Sequence, residues 1–194
     1  MNELHLQFLA SPEWARMLEN DLLPWVEAAG DLGDHVLEIG PGPGLTTDLL
    51  RVRVPRLTAV EIDPKLATTL TERLTGTNVD VISGDATDAG LASDRFSAAT
   101  CFSMLHHMPS AADQDRLFSE IHRVIRPGAI FVGVDSRDME AIRAGHVGDT
   151  FVPVDPDTFA GRLGAAGFHA TEIDVQDYQF RFVTRKPLTP RQAP

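Results

Sequence analysis

Cysteine is almost absent from this chain, and the single Cys101 can form neither an internal disulfide nor a site built on several thiolates. Positive charge is also scarce: 17 lysines and arginines against 28 aspartates and glutamates leave a formal net charge of −11. That balance argues against attraction to nucleic acids or anionic membrane surfaces. No apolar run approaches the length of a membrane span, and the first residues show no signal-peptide pattern. We therefore expect a cytoplasmic protein with a small-molecule partner, no nucleic acid, no membrane and no metal, present as a monomer or homodimer.

The most informative pattern is a glycine-rich turn after an apolar run. Residues 36–39 predict a buried strand, residues 40–44 hold three glycines, and Leu45 opens a helix. A turn of this kind marks a nucleotide-like ligand in an open α/β sheet. A dinucleotide fingerprint would need glycine or alanine where Leu45 stands. Glu38 lies just before the turn, where a carboxylate would repel a phosphate and suits a cationic ligand without phosphate, such as S-adenosylmethionine.

The spacing E-x-G-x-G-x-G resembles motif I of the class I S-adenosylmethionine-dependent methyltransferases. The resemblance implies a Rossmann-like doubly wound α/β sheet with strand order 3-2-1-4-5-7-6, strand 7 antiparallel and helices on both faces. It also implies S-adenosyl-L-methionine as cofactor and S-adenosyl-L-homocysteine as product. The cofactor contacts that it implies in this motif are Glu38, Gly40, Pro41, Gly42 and Gly44.

Two further strand ends fit the same cofactor. Glu61 ends a second strand about 20 residues after the turn, where an acidic side chain can accept hydrogen bonds from both ribose hydroxyls. NAD proteins share this feature, so Glu61 alone does not discriminate between the two cofactors. By resemblance, Asp85 accepts from the adenine amino group. The same resemblance places Ile62, Gly84, Ala86, Phe102 and Ser103 at the cofactor.

The patterns L-H-H-x-P and R-V-I-R-P-G-A follow the fourth strand. They resemble the small bacterial methyltransferases related to the ubiquinone/menaquinone C-methyltransferases, and the resemblance covers roughly residues 34–136. His106 and His107 lie at the carboxyl edge of the sheet, where ligands bind. We predict His106 as a general base, or Asp135 in its place, and give His107 mainly a structural role near the substrate. Arg137 is expected to shape the substrate side.

Strand and helix patterns alternate from residue 36 to residue 134, which predicts a parallel sheet with helices on both faces. Segments 169–176 and 178–185 follow each other so closely that they must pair as an antiparallel hairpin. Before the first strand, a helix begins at Pro12 and is expected to kink or restart at Pro24. The single domain 1–194 is predicted to comprise a helical cap (1–30), a cofactor-binding core (34–136) and a substrate-side segment (137–194).

Phe8 and Trp14 of the cap are the aromatic residues expected nearest the substrate. The predicted reaction is in-line transfer of a methyl group to an oxygen, nitrogen or carbon atom of a small molecule. Such transfer depends mainly on orientation, and a base is required only when the acceptor must lose a proton. Two alternatives stay open: an NAD-dependent oxidoreductase, and a catalytically inactive S-adenosylmethionine-binding partner subunit.

Overall fold

The computed structural model describes residues 6–7 and 9–189 of the chain. Its strands form one seven-stranded sheet with the order β3-β2-β1-β4-β5-β7-β6. The strands are β1 (His35–Ile39), β2 (Arg56–Glu61), β3 (Val79–Ser83), β4 (Phe96–Phe102), β5 (Ile125–Ser136), β6 (His169–Val175) and β7 (Gln179–Arg185). The first five run parallel, whereas β7 is antiparallel to both of its neighbours. The predicted strand order and orientation are confirmed.

Four of the described helices begin after a residue whose side chain caps them: Ser11, Asp63, Ser110 and Asp155. The helices are α1 (Pro12–Met17), α2 (Leu23–Ala29), α3 (Leu45–Arg51), α4 (Pro64–Arg73), α5 (Ala111–Val124), α6 (Glu140–Gly145) and α7 (Pro156–Ala165). Asp63 caps α4 by accepting from the backbone N–H groups of Lys65 and Leu66, and Pro64 occupies the first helical position. Along the described part of the chain, no helix has both the length and the apolar character needed to cross a membrane.

A hydrophobic core lies on each face of the sheet, and β5 contributes to both. Phe131 belongs to the core under α5 and α7, whereas its neighbours Ile130 and Val132 belong to the core under α1, α2 and α3. Successive side chains of a strand point to opposite faces, which explains this division. Cys101, in the middle of β4, is fully buried, and burial raises the pKa of its thiol well above the usual range. It therefore packs as a small hydrophobic residue.

β5 is longer than the sequence predicts. The sequence predicts a strand over residues 129–134 and places Ile125 on the apolar stripe of the preceding helix, together with Leu117, Ile121 and Val124. The strand instead begins at Ile125, which pairs with Phe96 of β4. Gly128 continues the sheet by donating its N–H to the carbonyl of Lys186 at 2.9 Å. Pairing with neighbouring strands thus extends β5 through residues 126–128, an Arg-Pro-Gly sequence that by itself predicts only the end of the preceding helix.

The expected kink or restart at Pro24 coincides with a change of helix type. A π-helical turn, Leu18–Leu22, joins α1 to α2, and the N–H of Leu23 donates to the carbonyl of Leu18. Pro24, which has no N–H, lies in the first turn of α2. The buried Arg181 of β7 forms an ion pair with Asp21 and lies over the ring of Trp25, 5.5 Å from its centroid. These contacts fix the helices against the C-terminal hairpin.

Candidate active site

A cavity of about 280 Å³ opens at the carboxyl ends of the parallel strands. This edge is where α/β sheets bind their ligands, and the volume is close to the lower end of the range of about 300–1,000 Å³ for ligand sites. The predicted cofactor residues that border it are Gly40, Pro41, Glu61, Ile62, Gly84, Asp85, Ala86, Phe102 and Ser103. Glu38, Gly42 and Gly44 do not border the cavity, although Gly42 lies between two bordering prolines, Pro41 and Pro43.

All three glycines of the turn have a positive φ, but they differ in what surrounds them. A Cβ atom at Gly40 would overlap with the side chain of Met104, and one at Gly44 would overlap with Leu70. Close packing within the protein therefore excludes a side chain at these two positions. At Gly42 a Cβ atom would meet no atom of the described chain within 4 Å, yet φ is +56°. The space beside Gly42 is open to a ligand, which fits a cofactor lying along the turn.

Glu61 ends β2 with its carboxylate held in one orientation. Its Oε2 accepts from the backbone N–H of Gly42, and its Oε1 accepts from that of Asp63, each at 2.9 Å. A carboxylate oxygen has two lone pairs, so each oxygen keeps one acceptor position for a ligand hydroxyl. The turn and the acidic side chain are thus one preorganised unit, and its donor and acceptor chemistry fits a ribose.

Glu38 lies fully buried beneath the turn. The hydroxyl of Thr46, which borders the cavity, donates to Glu38 Oε1. Burial raises the pKa of Glu38 to about 7, and the Thr46 hydrogen bond acts in the opposite direction. Near neutral pH the side chain is therefore divided between its acid and carboxylate forms. A cation bound near the turn would favour the carboxylate.

Two loops complete the edge where a purine could lie. Asp85 is exposed at the cavity, with its Oδ1 accepting from the backbone N–H of Thr87 at 2.8 Å. Gly84 is held in place because its N–H donates to the carbonyl of Glu61 at 2.9 Å. After β4, Ser103 adopts a left-handed φ of +52°, and its N–H donates to the Val134 carbonyl at 2.8 Å. Such strained non-glycine positions are typical of functional sites.

His106 and Asp135 form a fully buried pair behind the cavity wall. His106 Nδ1 lies 2.7 Å from Asp135 Oδ1, and Asp135 Oδ2 accepts from the backbone N–H of Leu105 at 2.8 Å. A further N–H, that of Ser136, donates to Asp135 Oδ1 at 2.8 Å. Neither His106 nor Asp135 borders the cavity. The aspartate therefore fixes the 3-10 turn, Leu105–His107, against the end of β5.

His107, rather than His106, lines the cavity, with its Nδ1 3.7 Å from Asp149 Oδ2. This placement is the reverse of the orientation that we predicted for the two histidines. The cause is the 3-10 turn. Because His106 is hydrogen-bonded to Asp135 in the protein interior, the side chain of His107 faces the cavity. Which of the two takes part in chemistry stays a prediction.

Of the predicted substrate residues in the two other parts of the chain, Trp14 borders the cavity and Arg137 does not. Trp14 borders the cavity and is buried. Arg137 does not border it, because its guanidinium donates to the carbonyls of Gln176 and Asp177 in the hairpin turn, at 2.9 and 3.1 Å. Phe8 lies outside the described residues.

Thr46, Met104 and Met108 are among the residues of the cavity wall that sequence reasoning missed. Thr46 had a usable signal, since it lies in the first helical turn after the glycines. The two methionines flank the histidine pair and carry no chemical signature of their own. Only the fold shows that they face the cavity.

A glycine turn after β1, an acidic residue ending β2 and a Gly-Asp segment after β3 surround one cavity. This arrangement defines an α/β domain that binds a nucleoside cofactor. A family model described as "Methyltransferase domain" matches residues 37–133, which is half of the chain, so the chain belongs to this family. Membership confirms the predicted class, an S-adenosylmethionine-dependent methyltransferase of class I, together with its cofactor, and it does not support the NAD-dependent alternative. A closer relation to the ubiquinone/menaquinone enzymes is not shown.

Comparison with known proteins shows which methyltransferases this chain is similar to. Ribosomal RNA small subunit methyltransferase A of Levilactobacillus brevis is 32% identical over 130 residues, which cover 64% of this chain and 44% of that protein. The protein of the same name from Deinococcus radiodurans is 42% identical over 74 residues, covering 37% and 25%. The chain thus spans less than half the length of these relatives. Phosphoethanolamine N-methyltransferase 2 of Haemonchus contortus, solved with S-adenosyl-L-methionine, superposes with a TM-score of 0.74 at 14% identity, covering 87% of this chain and 52% of that one.

These relatives correct one prediction. The expectation that the partners include no nucleic acid is wrong, because the sequence relatives are ribosomal RNA methyltransferases. That expectation came from the net charge of −11. Net charge governs long-range attraction to phosphates, but it does not determine which group can enter a cavity.

Proposed function

We propose that this chain transfers the methyl group of S-adenosylmethionine to an acceptor that enters the cavity beside His107. The observation that carries the proposal is the unit formed by Gly42 and Glu61. It offers open space at the turn and a carboxylate held by two backbone N–H groups. When bound, S-adenosylmethionine would supply an activated methyl group for in-line displacement.

The chain's own residues have distinct tasks in this reaction. Glu61 would accept from the ribose hydroxyls, and Asp85 from the adenine amino group. Glu38, buried below the turn, would supply negative potential near the cationic end of the cofactor. The N–H of Gly42 donates to the carboxylate of Glu61, and the N–H of Gly84 donates to its carbonyl, so these hydrogen bonds orient the turn and the loop of Asp85 relative to each other. Orientation of this kind can contribute about 7–11 kcal/mol to lowering the barrier.

A small-molecule acceptor is our first candidate. Trp14, Leu117 and Met108 give the cavity apolar walls, whereas His107 and Asp149 supply polar groups at one side. A small, partly apolar molecule with one polar nucleophile suits this mixture. We assign the contact with the acceptor to His107, and we give His106 and Asp135 the role of holding its turn. Methyl transfer to oxygen, nitrogen or carbon is compatible with these residues.

An RNA base is the second candidate, and the sequence relatives favour it. A base turned out of its strand is also a small, flat, partly apolar group, so the same cavity could receive it. The rest of the RNA would then lie outside the cavity.

Calorimetry with S-adenosylhomocysteine tests the cofactor part of the proposal. We expect one molecule bound per chain and stabilisation against heat by mass action, with NADH giving neither effect. No heat of binding at millimolar S-adenosylhomocysteine would refute the proposal.

The acceptor is tested by incubating the protein with S-adenosylmethionine carrying a radioactive methyl group and a fractionated cell extract. Label in the low-mass fraction supports the first candidate, and label that ribonuclease releases from the RNA fraction supports the second. Binding without transfer to either fraction would indicate the inactive partner subunit.

A further inference from the structure

Three histidines from two separate segments meet next to the acceptor side of the cavity. His106 and His107 belong to the 3-10 turn after β4, and His146 directly follows α6. Their possible ligand atoms all lie within 4.8 Å of one another. The ring centroids are 4.2 Å apart for His106 and His107, and the ring of His146 lies 4.9 and 5.2 Å from those two. The geometry points to a site for a divalent transition metal of the zinc class, held by these three imidazoles.

The hydrogen bonds of the rings support this assignment. His146 Nδ1 lies 2.7 Å from the carbonyl oxygen of Ile142, which can only accept, so Nδ1 is the donor, and in the neutral imidazole that binds metals Nε2 carries the lone pair. His106 Nδ1 lies 2.7 Å from Asp135 Oδ1, and the two oxygens of that carboxylate also receive backbone N–H groups. His106 thus donates from Nδ1 as well. Metal-binding histidines commonly donate the other ring N–H to a carboxylate or a backbone carbonyl in this way, which directs Nε2 toward the metal.

The third histidine and the surroundings fit the same arrangement. His107 Nδ1 lies 3.7 Å from Asp149 Oδ2, so a carboxylate stands near this ring too. The ring of Phe151 covers the cluster on one side, 4.6 Å from His146 and 5.6 Å from His106. An apolar cover of this kind limits access of water to a metal site.

The distances require only a small contraction. Tetrahedral zinc with Zn–N bonds of about 2.0–2.1 Å holds its nitrogen ligands about 3.4 Å apart. Ligand atoms within 4.8 Å of one another would therefore approach by about 1.4 Å at most. Small rotations about the side-chain torsions of three histidines can supply this movement.

A site with three histidines keeps one coordination position for water or substrate. Because His107 and Asp149 border the cavity, we assign that position to its acceptor side. It would bind the oxygen or nitrogen atom of the methyl acceptor, and this role rests on the proposed function. The sequence prediction of no metal considered cysteines, and nothing in the chain pattern connects His146 with a pair 39 positions earlier.

Competition with a chromogenic zinc indicator tests the site. Protein freed of metal by a chelator is titrated with Zn²⁺, and Co²⁺ is added in parallel to read the coordination from its visible absorption. We expect one metal ion per chain and a tetrahedral cobalt spectrum. His146→Gln should weaken zinc binding by about 100-fold or more, beyond the effect of about 10–100-fold expected for the positioning variant Asp135→Asn. His169→Ala is the matched control, since this histidine is exposed on β6, and it should bind like the unchanged protein.

Circular dichroism of each metal-free variant verifies that it is folded, and His146→Gln is informative even if Asp135→Asn fails to fold. No zinc binding by the unchanged protein, or equal binding by His146→Gln and His169→Ala, would overturn the site. S-adenosylhomocysteine binding is measured on the same samples. Intact S-adenosylhomocysteine binding without zinc binding refutes the metal site alone, whereas zinc binding that needs His146 supports it even where the cofactor fails to bind.

Discussion

Gly42→Ala is the sharpest test of the cofactor turn, because at this position the effects of strain and of ligand contact can be separated. The backbone φ is +56°, which an alanine tolerates at a cost of about 1–2 kcal/mol. The new methyl group would meet no atom of the described residues within 4 Å. The variant should therefore fold, with a free energy of unfolding lower by about 1–2 kcal/mol.

Gly76→Ala provides the matched control. Gly76 lies in the turn between α4 and β3, with φ of +80° and equally open space around a Cβ atom. The same loss of stability, about 1–2 kcal/mol, is expected there. Only Gly42→Ala should place a methyl group against the cofactor.

Thermal denaturation measures the stability of both variants, and calorimetry measures their affinity for S-adenosylhomocysteine. We expect Gly42→Ala to bind at least about 10-fold more weakly, which corresponds to about 1.4 kcal/mol, while Gly76→Ala binds normally. Unchanged affinity of Gly42→Ala would mean that the open space beside the turn is not used by the cofactor. Equal weakening in both variants would trace the effect to backbone strain alone.

Three further predictions concern the acidic residues and the histidines. Glu61→Ala should weaken S-adenosylhomocysteine binding, measured by calorimetry, by about 1–3 kcal/mol. Denaturant unfolding should show a similar loss of stability, since two backbone N–H groups lose their acceptor. Unchanged affinity would contradict the assignment of Glu61 to the ribose. Burial raises the pKa of Glu38 from 4.5 to about 7. Between these two pH values the folded state retains a proton that the unfolded state has released. The unliganded protein should therefore lose up to about 3 kcal/mol of stability as the pH rises from about 4.5 to about 7. Affinity for S-adenosylmethionine should rise up to about 10-fold between about pH 6 and 8 as Glu38 ionises, and Glu38→Gln should abolish both trends. His106→Ala should lower the free energy of unfolding by about 1–3 kcal/mol, because the fully buried Asp135 Oδ1 loses its side-chain donor. His107→Ala should mainly reduce the rate of methyl transfer. The opposite result would indicate that His106 contacts the acceptor.

The sheet could be predicted from the sequence because each strand has a recognisable pattern of apolar residues within its own segment. The apolar run before Gly40 and the paired segments at residues 169–185 carry their pattern within a few residues. Ile125 shows where this reasoning ends. Locally it continues a helical stripe, and only its pairing with Phe96, 29 positions earlier, makes it the first residue of β5.

The contacts of Glu61 and Asp85 with the cofactor stay predictions, but the place of both residues at the cavity could be predicted for the same reason, since Glu61 ends β2 and Asp85 closely follows β3. The arrangement of the acceptor side could not be predicted. His106 and His107 are adjacent and chemically identical, and their directions depend on the hydrogen bond that His106 donates to Asp135 at the end of another strand. The approach of His146 to this pair depends on how the segment after β5 folds back, because Val152 donates its N–H to the His106 carbonyl at 2.8 Å. Such contacts between distant segments leave no periodic trace in the sequence.

The contact between Gly40 and Met104 restricts how this protein could be altered. The first residue of the cofactor turn has no side chain because the methionine of the acceptor loop fills that space. An engineer who exchanges Met104 to admit a larger acceptor therefore also removes the support of the cofactor turn. A smaller residue at 104 would leave a gap beside Gly40, and a side chain at position 40 could fill that gap only at the cost of strain, because the backbone φ there is +66°.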